Sequence, residues 1–222
     1  MTEIQCALFD LDNTLYPKSS GLMQAIGQRI NLFMMERLGV KPEEVSKVRD
    51  DFLRAFGTTL NALRRYYPVD PDEFLDFVHD IPLEKHLQPE AALDRMLGSL
   101  SLRKIIFTNA DAKHARRVLA LLGVLNRFES VVDIHMLEFV NKPDRRAYLK
   151  ALDFVSARPE ECMLIEDSPA NIAPARELGM LTVLVGDGSK PSRAHYRIDR
   201  ITDLGNLFLQ KISREGAKGA KS

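Results

Sequence analysis

Five short apolar runs constrain this chain more than any other feature of it. They are Ile4–Phe9, Lys104–Phe107, Val131–Ile134, Cys162–Ile165 and Leu181–Val185. Each is too short for a buried helix and reads as a strand. Helical patterns lie between them. Ala112–Leu122 carries Ala115, Val118, Leu119 and Leu122 on one face and runs into Gly123 at the C′ position; Asp144–Phe154 and Pro169–Leu178 follow, and Leu204–Ile212 is a candidate last helix. Strands alternating with helices predict βαβ units. The expected fold class is therefore α/β, a three-layer, Rossmann-like core whose parallel sheet is covered on both faces. Such sheets bind ligands at the carboxyl ends of their strands.

One stretch interrupts the alternation. From Ser19 to Lys85 no strand pattern occurs. Leu22, Ile26, Ile30, Phe33, Met34 and Leu38 mark one amphipathic helix, and Val45, Val48, Phe52 and Phe56 a second. Asp70-Pro71-Asp72-Glu73 has the form of an N-cap, a proline at N1 and a capping-box glutamate at N3. The expected organisation is a discontinuous core of residues 1–16 and 86–212, a helical cap of residues 17–85, and a flexible tail of residues 213–222.

Composition narrows the partners. The chain's 222 residues include 31 Lys+Arg and 31 Asp+Glu, a formal charge of zero, which argues against binding a nucleic-acid polymer or an anionic membrane by bulk electrostatics. No apolar run approaches the length of a membrane span. Cys6 and Cys162 both sit inside apolar runs without zinc-ligand spacing and read as small buried hydrophobes. A cytoplasmic, reducing location is expected. The stretch Lys211–Ser222, with four basic residues and one Glu, is expected to fray.

The strand ends carry the chemistry. Asp10-x-Asp12-x-Thr14 follows the first apolar run directly. With 17 Asp, 7 Thr and 13 Val in the chain, D-x-D-x-[TV] arises by chance roughly 0.1 times, and about tenfold less often behind three apolar residues. Two acidic turn residues would be the plain alternative, but the other strand ends are also reactive. Thr108-Asn109-Ala110 places a hydroxyl before helix-opening N–H groups, which makes either an anion site or a simple N-cap. Lys142-Pro143 opens a helix, and on its own Lys142 reads as a solvated loop residue. Ser168-Pro169 initiates another, yet helix initiation leaves Glu166-Asp167 unexplained.

Together these ends form a coherent site. Asp10 and Asp167 offer hard oxygens for Mg²⁺. Mg²⁺, Lys142, Asp10 and Asp167 sum to +1, which suits a phosphate monoester dianion; without the cations two carboxylates would repel it. A carboxylate can attack phosphorus and form an aspartyl-phosphate. Its neighbour two residues on can donate a proton to the leaving oxygen and later accept one from water.

FDLDNTLY (Phe9–Tyr16), FTNA (Phe107–Ala110), NKPD (Asn141–Asp144) and LIEDSPANI (Leu164–Ile172) resemble the four ordered motifs of the haloacid dehalogenase-like hydrolase superfamily. The likeness covers roughly Ile4 to Val185, and the helical insertion resembles that superfamily's first type of cap. LYPKSSGL (Leu15–Leu22) and FGTTLNAL (Phe56–Leu63) resemble its pyrimidine 5′-nucleotidase subgroup. The resemblance implies Asp10 as nucleophile and Mg²⁺ ligand, and Asp12 as general acid/base with its main-chain carbonyl on the metal. It implies Thr108 and the N–H of Asn109 on the phosphoryl oxygens, and Lys142 steadying Asp10 and the transferring group. Asp167 would be the second carboxylate ligand, with Glu166 and Asn171 supporting from behind. The third motif reads KPDRR where relatives often have KPDP.

The implied activity is Mg²⁺-dependent hydrolysis of a small phosphorylated metabolite. A sugar-phosphate or phosphoglycolate phosphatase and a phosphomutase stay open, as does a non-catalytic phospho-ligand binder. Asp12 speaks against dehalogenation, which needs no proton for an alkoxide. A phospho-receiver module would need Asp50 or Asp51 on a middle strand rather than in a helical stretch. The five histidines, His79, His86, His114, His135 and His195, are expected to be solvated or satisfied side chains away from the site. Arg64-Arg65-Tyr66-Tyr67 reads as an exposed helix end, and Gly186-Asp187-Gly188 as a loop. Tyr16, Ser20, Thr58 and Thr59 are candidates for substrate contact.

Overall fold

A computed structural model describes residues 3–186 and 192–208. Its strands are β1 (Cys6–Phe9), β2 (Arg103–Phe107), β3 (Ser130–Val132), β4 (Cys162–Glu166), β5 (Leu181–Val185) and β6 (Tyr196–Ile198). They form one parallel sheet in the order β3-β2-β1-β4-β5-β6. The helices are α1 (Leu22–Leu38), α2 (Val45–Phe56), α3 (Thr59–Tyr66), α4 (Pro71–His79), α5 (Ala91–Ser99), α6 (Ala112–Leu121), α7 (Arg145–Val155) and α8 (Pro169–Glu177). Residues 204–208 are also helical.

The strand period of two divides β1 between two cores. Ala7 and Phe9 join a cluster with Leu93 and Leu97 of α5 and Val118 and Leu119 of α6. Cys6 and Leu8 face the opposite cluster, with Ala147 and Tyr148 of α7 and Ile172 of α8. Helices thus cover both faces. Complete burial of Leu8 and Phe9 contributes about 1.5–3 kcal/mol each. The chain builds outward from β1 through β2 to β3, then crosses back to lay β4 on the other side of β1. That reversal opens a crevice at the carboxyl ends of β1 and β4.

Between β1 and β2 the chain is helical, with no strand among residues 19–85. Phe33, Leu60, Leu63, Phe74, Leu75 and Val78 of α1, α3 and α4 form a further hydrophobic cluster, which Ile134 joins from the segment after β3. Gly39 and Gly57, at φ 68° and 75°, end α1 and α2 in the left-handed region, where a side chain would be strained. Asp70 caps α4 by accepting from the N–H groups of Asp72 and Glu73. The Glu73 side chain lies 3.9 Å from Arg37, so the cap is a plain aspartate cap and not the reciprocal box expected.

Other departures have simple causes. β3 starts one residue earlier than its apolar run and stops at Val132. Asp133 leaves the sheet to accept from the N–H groups of Ala112 and Met136. β6 escapes the sequence pattern because it is a three-residue edge strand with only Ile198 buried. Among described residues no helix is long and apolar enough to cross a membrane. Residues 209–212, Asp187, Gly188 and the tail 213–222 lie outside the described residues.

Candidate active site

The turn after β1 is fastened from below. Leu11 and Leu15 point into the core, and the N–H groups of Thr14 and Leu15 bond back to the Leu11 carbonyl. Asn13 takes φ 64°, a conformation asparagine tolerates well. Asp10 is buried, and its carboxylate is held on both oxygens. Lys142 Nζ donates to Oδ1 at 2.8 Å and the Thr14 hydroxyl to Oδ2 at 2.7 Å.

Lys142 is 1% exposed, so it is not the solvated loop lysine that its local sequence allows. Its ammonium donates to Asp10 Oδ1, to the Phe107 carbonyl at 2.7 Å and to Glu166 Oε2 at 2.9 Å, matching three protons to three acceptors. Burial works against the Lys142 charge, but Asp10 and Glu166 outweigh it and raise its pKa. One ammonium cannot fully compensate two buried carboxylates. Burial raises the pKa of Asp10 against the pull of Lys142. Burial and the Asp10 charge push Glu166 up to about 8.

The loop that presents Lys142 is itself clamped. Asn109 Nδ2 donates to the Lys142 carbonyl at 3.0 Å, and the Lys142 N–H donates to Asn109 Oδ1 at 2.8 Å. Asn109 therefore contributes a side chain as well as an N–H. Thr108 is buried at the end of β2, its hydroxyl oxygen accepting from the Ala110 N–H at 3.0 Å. After β4, Glu166 Oε1 accepts from the N–H groups of Asp167 and Ser168 at 3.1 and 3.0 Å. Both Glu166 oxygens are thus engaged by the protein. Asp167 meets Lys18 at 2.8 Å. Ser168 precedes α8 but makes no side-chain cap bond. Asn171 accepts from the Tyr148 hydroxyl with its backbone carbonyl and lines a cleft beside the site.

Asp10, Glu166 and Asp167 each offer an oxygen, and these oxygens lie within 4.8 Å of one another. Hard carboxylate donors gathered this closely fit a divalent cation such as Mg²⁺. The Asp12 side chain turns elsewhere, leaving only its carbonyl for such a role. Its Oδ1 accepts from the Tyr16 hydroxyl at 2.5 Å and lies 3.3 Å from His114 Nε2. Burial would raise the Asp12 pKa, but His114 and the Tyr16 hydrogen bond hold it below the usual value. Burial and the Asp12 charge raise Tyr16, which stays a protonated donor.

The histidine expectation is therefore corrected. His114 sits fully buried against Asp12, and His79 stacks on it with ring centroids 4.1 Å apart. Its place one turn into α6, just after the Thr108 strand end, was the available signal. His79 Nδ1 meets Asp111 Oδ2 at 2.6 Å, as a satisfied side chain should. Three of the substrate-contact candidates are engaged within the protein: Ser20 accepts from the Leu22 N–H, Thr58 caps α3, and Tyr16 holds Asp12. Thr59 is buried, and its hydroxyl has no hydrogen-bond partner among the described residues. Asp50 and Asp51 lie on α2, away from any strand.

The haloacid dehalogenase-like hydrolase family matches residues 4–179. The chain belongs to that family. Phosphate metabolism protein 8 of Saccharomyces cerevisiae is 27% identical to this hydrolase over 187 residues, 78% of this chain and 58% of that protein. β-Phosphoglucomutase of Bacillus subtilis is 30% identical over 122 residues, 53% of this chain and 54% of that protein. The chain thus spans somewhat more than half the length of these two relatives. A solved structure of a magnesium-bound HAD hydrolase from Bacillus subtilis aligns with a TM-score of 0.63 at 16% identity, over 93% of this chain and 99% of that one, a likeness of fold.

Proposed function

We propose that this hydrolase is a Mg²⁺-dependent phosphomonoesterase that works through an aspartyl-phosphate on Asp10, with pyrimidine nucleoside 5′-monophosphates as substrates. The single observation carrying the reading is the Asp10–Lys142–Glu166 cluster, with a second, separately held carboxylate, Asp12, two residues on. An Asp10 oxygen attacks phosphorus as the ester P–O bond breaks, and the leaving oxygen takes a proton from Asp12. Water then attacks the same phosphorus, gives its proton to Asp12, and phosphate leaves with Asp10 restored. Lys142 holds Asp10, while Thr108 and the Asn109 N–H receive the phosphoryl oxygens. Asp10, Asp167 and the Asp12 carbonyl would hold Mg²⁺, which would supply positive charge to offset that of the phosphoryl oxygens.

The substrate class draws on the cleft beside the site. It measures about 690 Å³ and runs from Asn109 and Lys142 to α2, with Arg54, Phe56, Phe139 and Arg146 on its walls. That volume falls in the range of roughly 300–1,000 Å³ usual for small-molecule sites, and cationic and aromatic walls suit a nucleoside. Two buried free cysteines suit the cytoplasm. The test is phosphate release from UMP, CMP, purine monophosphates, sugar phosphates and phosphoglycolate, with and without Mg²⁺. Mg²⁺-dependent turnover of UMP and CMP, abolished by Asp10→Asn, supports the reading. Turnover of another ester keeps the mechanism and discards the substrate. The phosphoglucomutase relative favours a second reading, a phosphomutase; isomerised sugar phosphate without free phosphate would establish it.

A further inference from the structure

We infer that Tyr16 and His114 are positioning residues for Asp12: both pin its Oδ1 and leave Oδ2 as the oxygen that carries the proton. The inference rests on the reading of Asp12 as the general acid/base. It gives a task to two side chains whose contacts the sequence motifs do not reveal.

Both contacts converge on one atom. The Tyr16 hydroxyl lies 2.5 Å and His114 Nε2 3.3 Å from Asp12 Oδ1. A protonated carboxyl carries its hydrogen on one oxygen only, and an oxygen already facing two donors is the poorer place for it. When Asp12 carries a proton, that proton therefore sits on Oδ2. The His114 tautomer follows from its surroundings. Nδ1 is buried and has no hydrogen-bond partner among the described residues. A proton on Nδ1 would leave a buried N–H unpaired and set the Nε2 lone pair against Oδ1. A proton on Nε2 makes the one bond available.

The imidazole is itself held. His79, the last residue of α4, stacks on it at an interplanar angle of 18°. Asp111 fixes the His79 ring and the start of α6: its Oδ2 meets His79 Nδ1, and its Oδ1 accepts from the His114 backbone N–H at 2.8 Å. Arg117 ties the same end of α4 down by donating to the His79 and Ile81 carbonyls. The helical insertion thus reaches the acid/base through the stacked His79 ring. In the reaction, Asp12 Oδ2 gives its proton to the leaving oxygen and recovers one from the attacking water. The Tyr16 and His114 protons stay where they are, so the two residues set direction and not proton supply.

That division predicts a dependence on the leaving group. An alkoxide needs the proton, whereas p-nitrophenolate leaves without it. The experiment measures kcat/KM for the best alkyl phosphomonoester of the panel above and for p-nitrophenyl phosphate, in Tyr16→Phe, His114→Asn, His114→Gln and Asp12→Asn. Tyr16→Phe and His114→Asn are expected to lose roughly tenfold or more on the alkyl ester and less than about twofold on the aryl ester. His114→Gln, whose amide nitrogen reaches the place of Nε2, should recover most of the alkyl-ester rate. Tyr16→Phe keeps the ring and its packing, so it stands as the test if a His114 variant fails to fold. Equal losses on both esters, or no loss in Tyr16→Phe, would overturn the inference. Asp12→Asn separates the two levels: if it too hits both esters equally, the acid/base reading itself falls.

Discussion

The two carboxylates of the first strand end sit two residues apart and are held by opposite means. Asp10 lies in a charged pocket, between Lys142 and Thr14 and close to Glu166, where burial leaves more negative charge than one ammonium can offset. Asp12 lies against aromatic rings, and the groups facing its Oδ1 are a phenol and an imidazole. The first arrangement suits a group that binds a cation and bonds to phosphorus. The second suits a group that exchanges a proton in a fixed direction. One turn of chain serves both because Leu11 and Leu15 anchor it while the sheet faces one carboxylate and α6 the other.

The contrast is broken most severely by removing the proposed nucleophile. Asp10→Asn should lower turnover at least about 10³-fold on alkyl and aryl esters alike, whereas any variant on the Asp12 side should discriminate between them. The kcat/KM for release of the leaving alcohol or phenol from both esters decides this, because it ends at phosphoryl transfer, before Asp12 is needed as a base. Next in size is stability on the charged side. Lys142→Met leaves Asp10 and Glu166 facing each other in a buried pocket and should cost about 3–5 kcal/mol, read by urea unfolding without divalent cations. Tyr16→Phe, which removes one hydrogen bond from a neutral donor, should cost only about 1 kcal/mol in the same assay. Equal costs would mean that the two carboxylates are held alike.

The smallest effect is a pH dependence on the aromatic side. Burial lowers the His79 pKa below 6.5 despite Asp111, with His114 adding to the shift and Asp12 opposing it. The unfolded chain then takes up this proton first, so the folded state loses stability as pH falls from about 6.5 through the folded value. The slope is at most about 1.4 kcal/mol per pH unit. Urea unfolding of wild type and His79→Gln across this range should show a shallower slope in the variant.

The legibility of the chain follows the same divide. β1, β4 and β5 are largely apolar buried runs, and β2 closes on one, Ile105–Phe107, so their ends, and with them Asp10, Thr108 and Asp167, stand out in the sequence. β6 has no such run, and α3 is a short helix set off from α2 only by Gly57 and Thr58. α5 carries Leu93, Met96 and Leu97 at helical spacing, with Leu100 at its C-cap, a signal that was there to read. The Asp12 surroundings are different in kind. Tyr16, His79, Asp111 and His114 come from a turn, the end of α4 and the start of α6. Only the path of the helical insertion brings His79 onto His114, and no local pattern encodes that path.

The central claim is that Asp10 receives the phosphoryl group while Asp12 handles the proton. Its most direct test uses Asp12→Asn with p-nitrophenyl phosphate and Mg²⁺. Phosphoryl transfer to Asp10 should proceed, but water attack should stall for want of a base. A burst of nitrophenolate stoichiometric with the chain is predicted, and borohydride reduction of the quenched enzyme should convert position 10, and no other, to homoserine. A burst with the label at another residue, or steady turnover with no trapped adduct at position 10, would contradict the account.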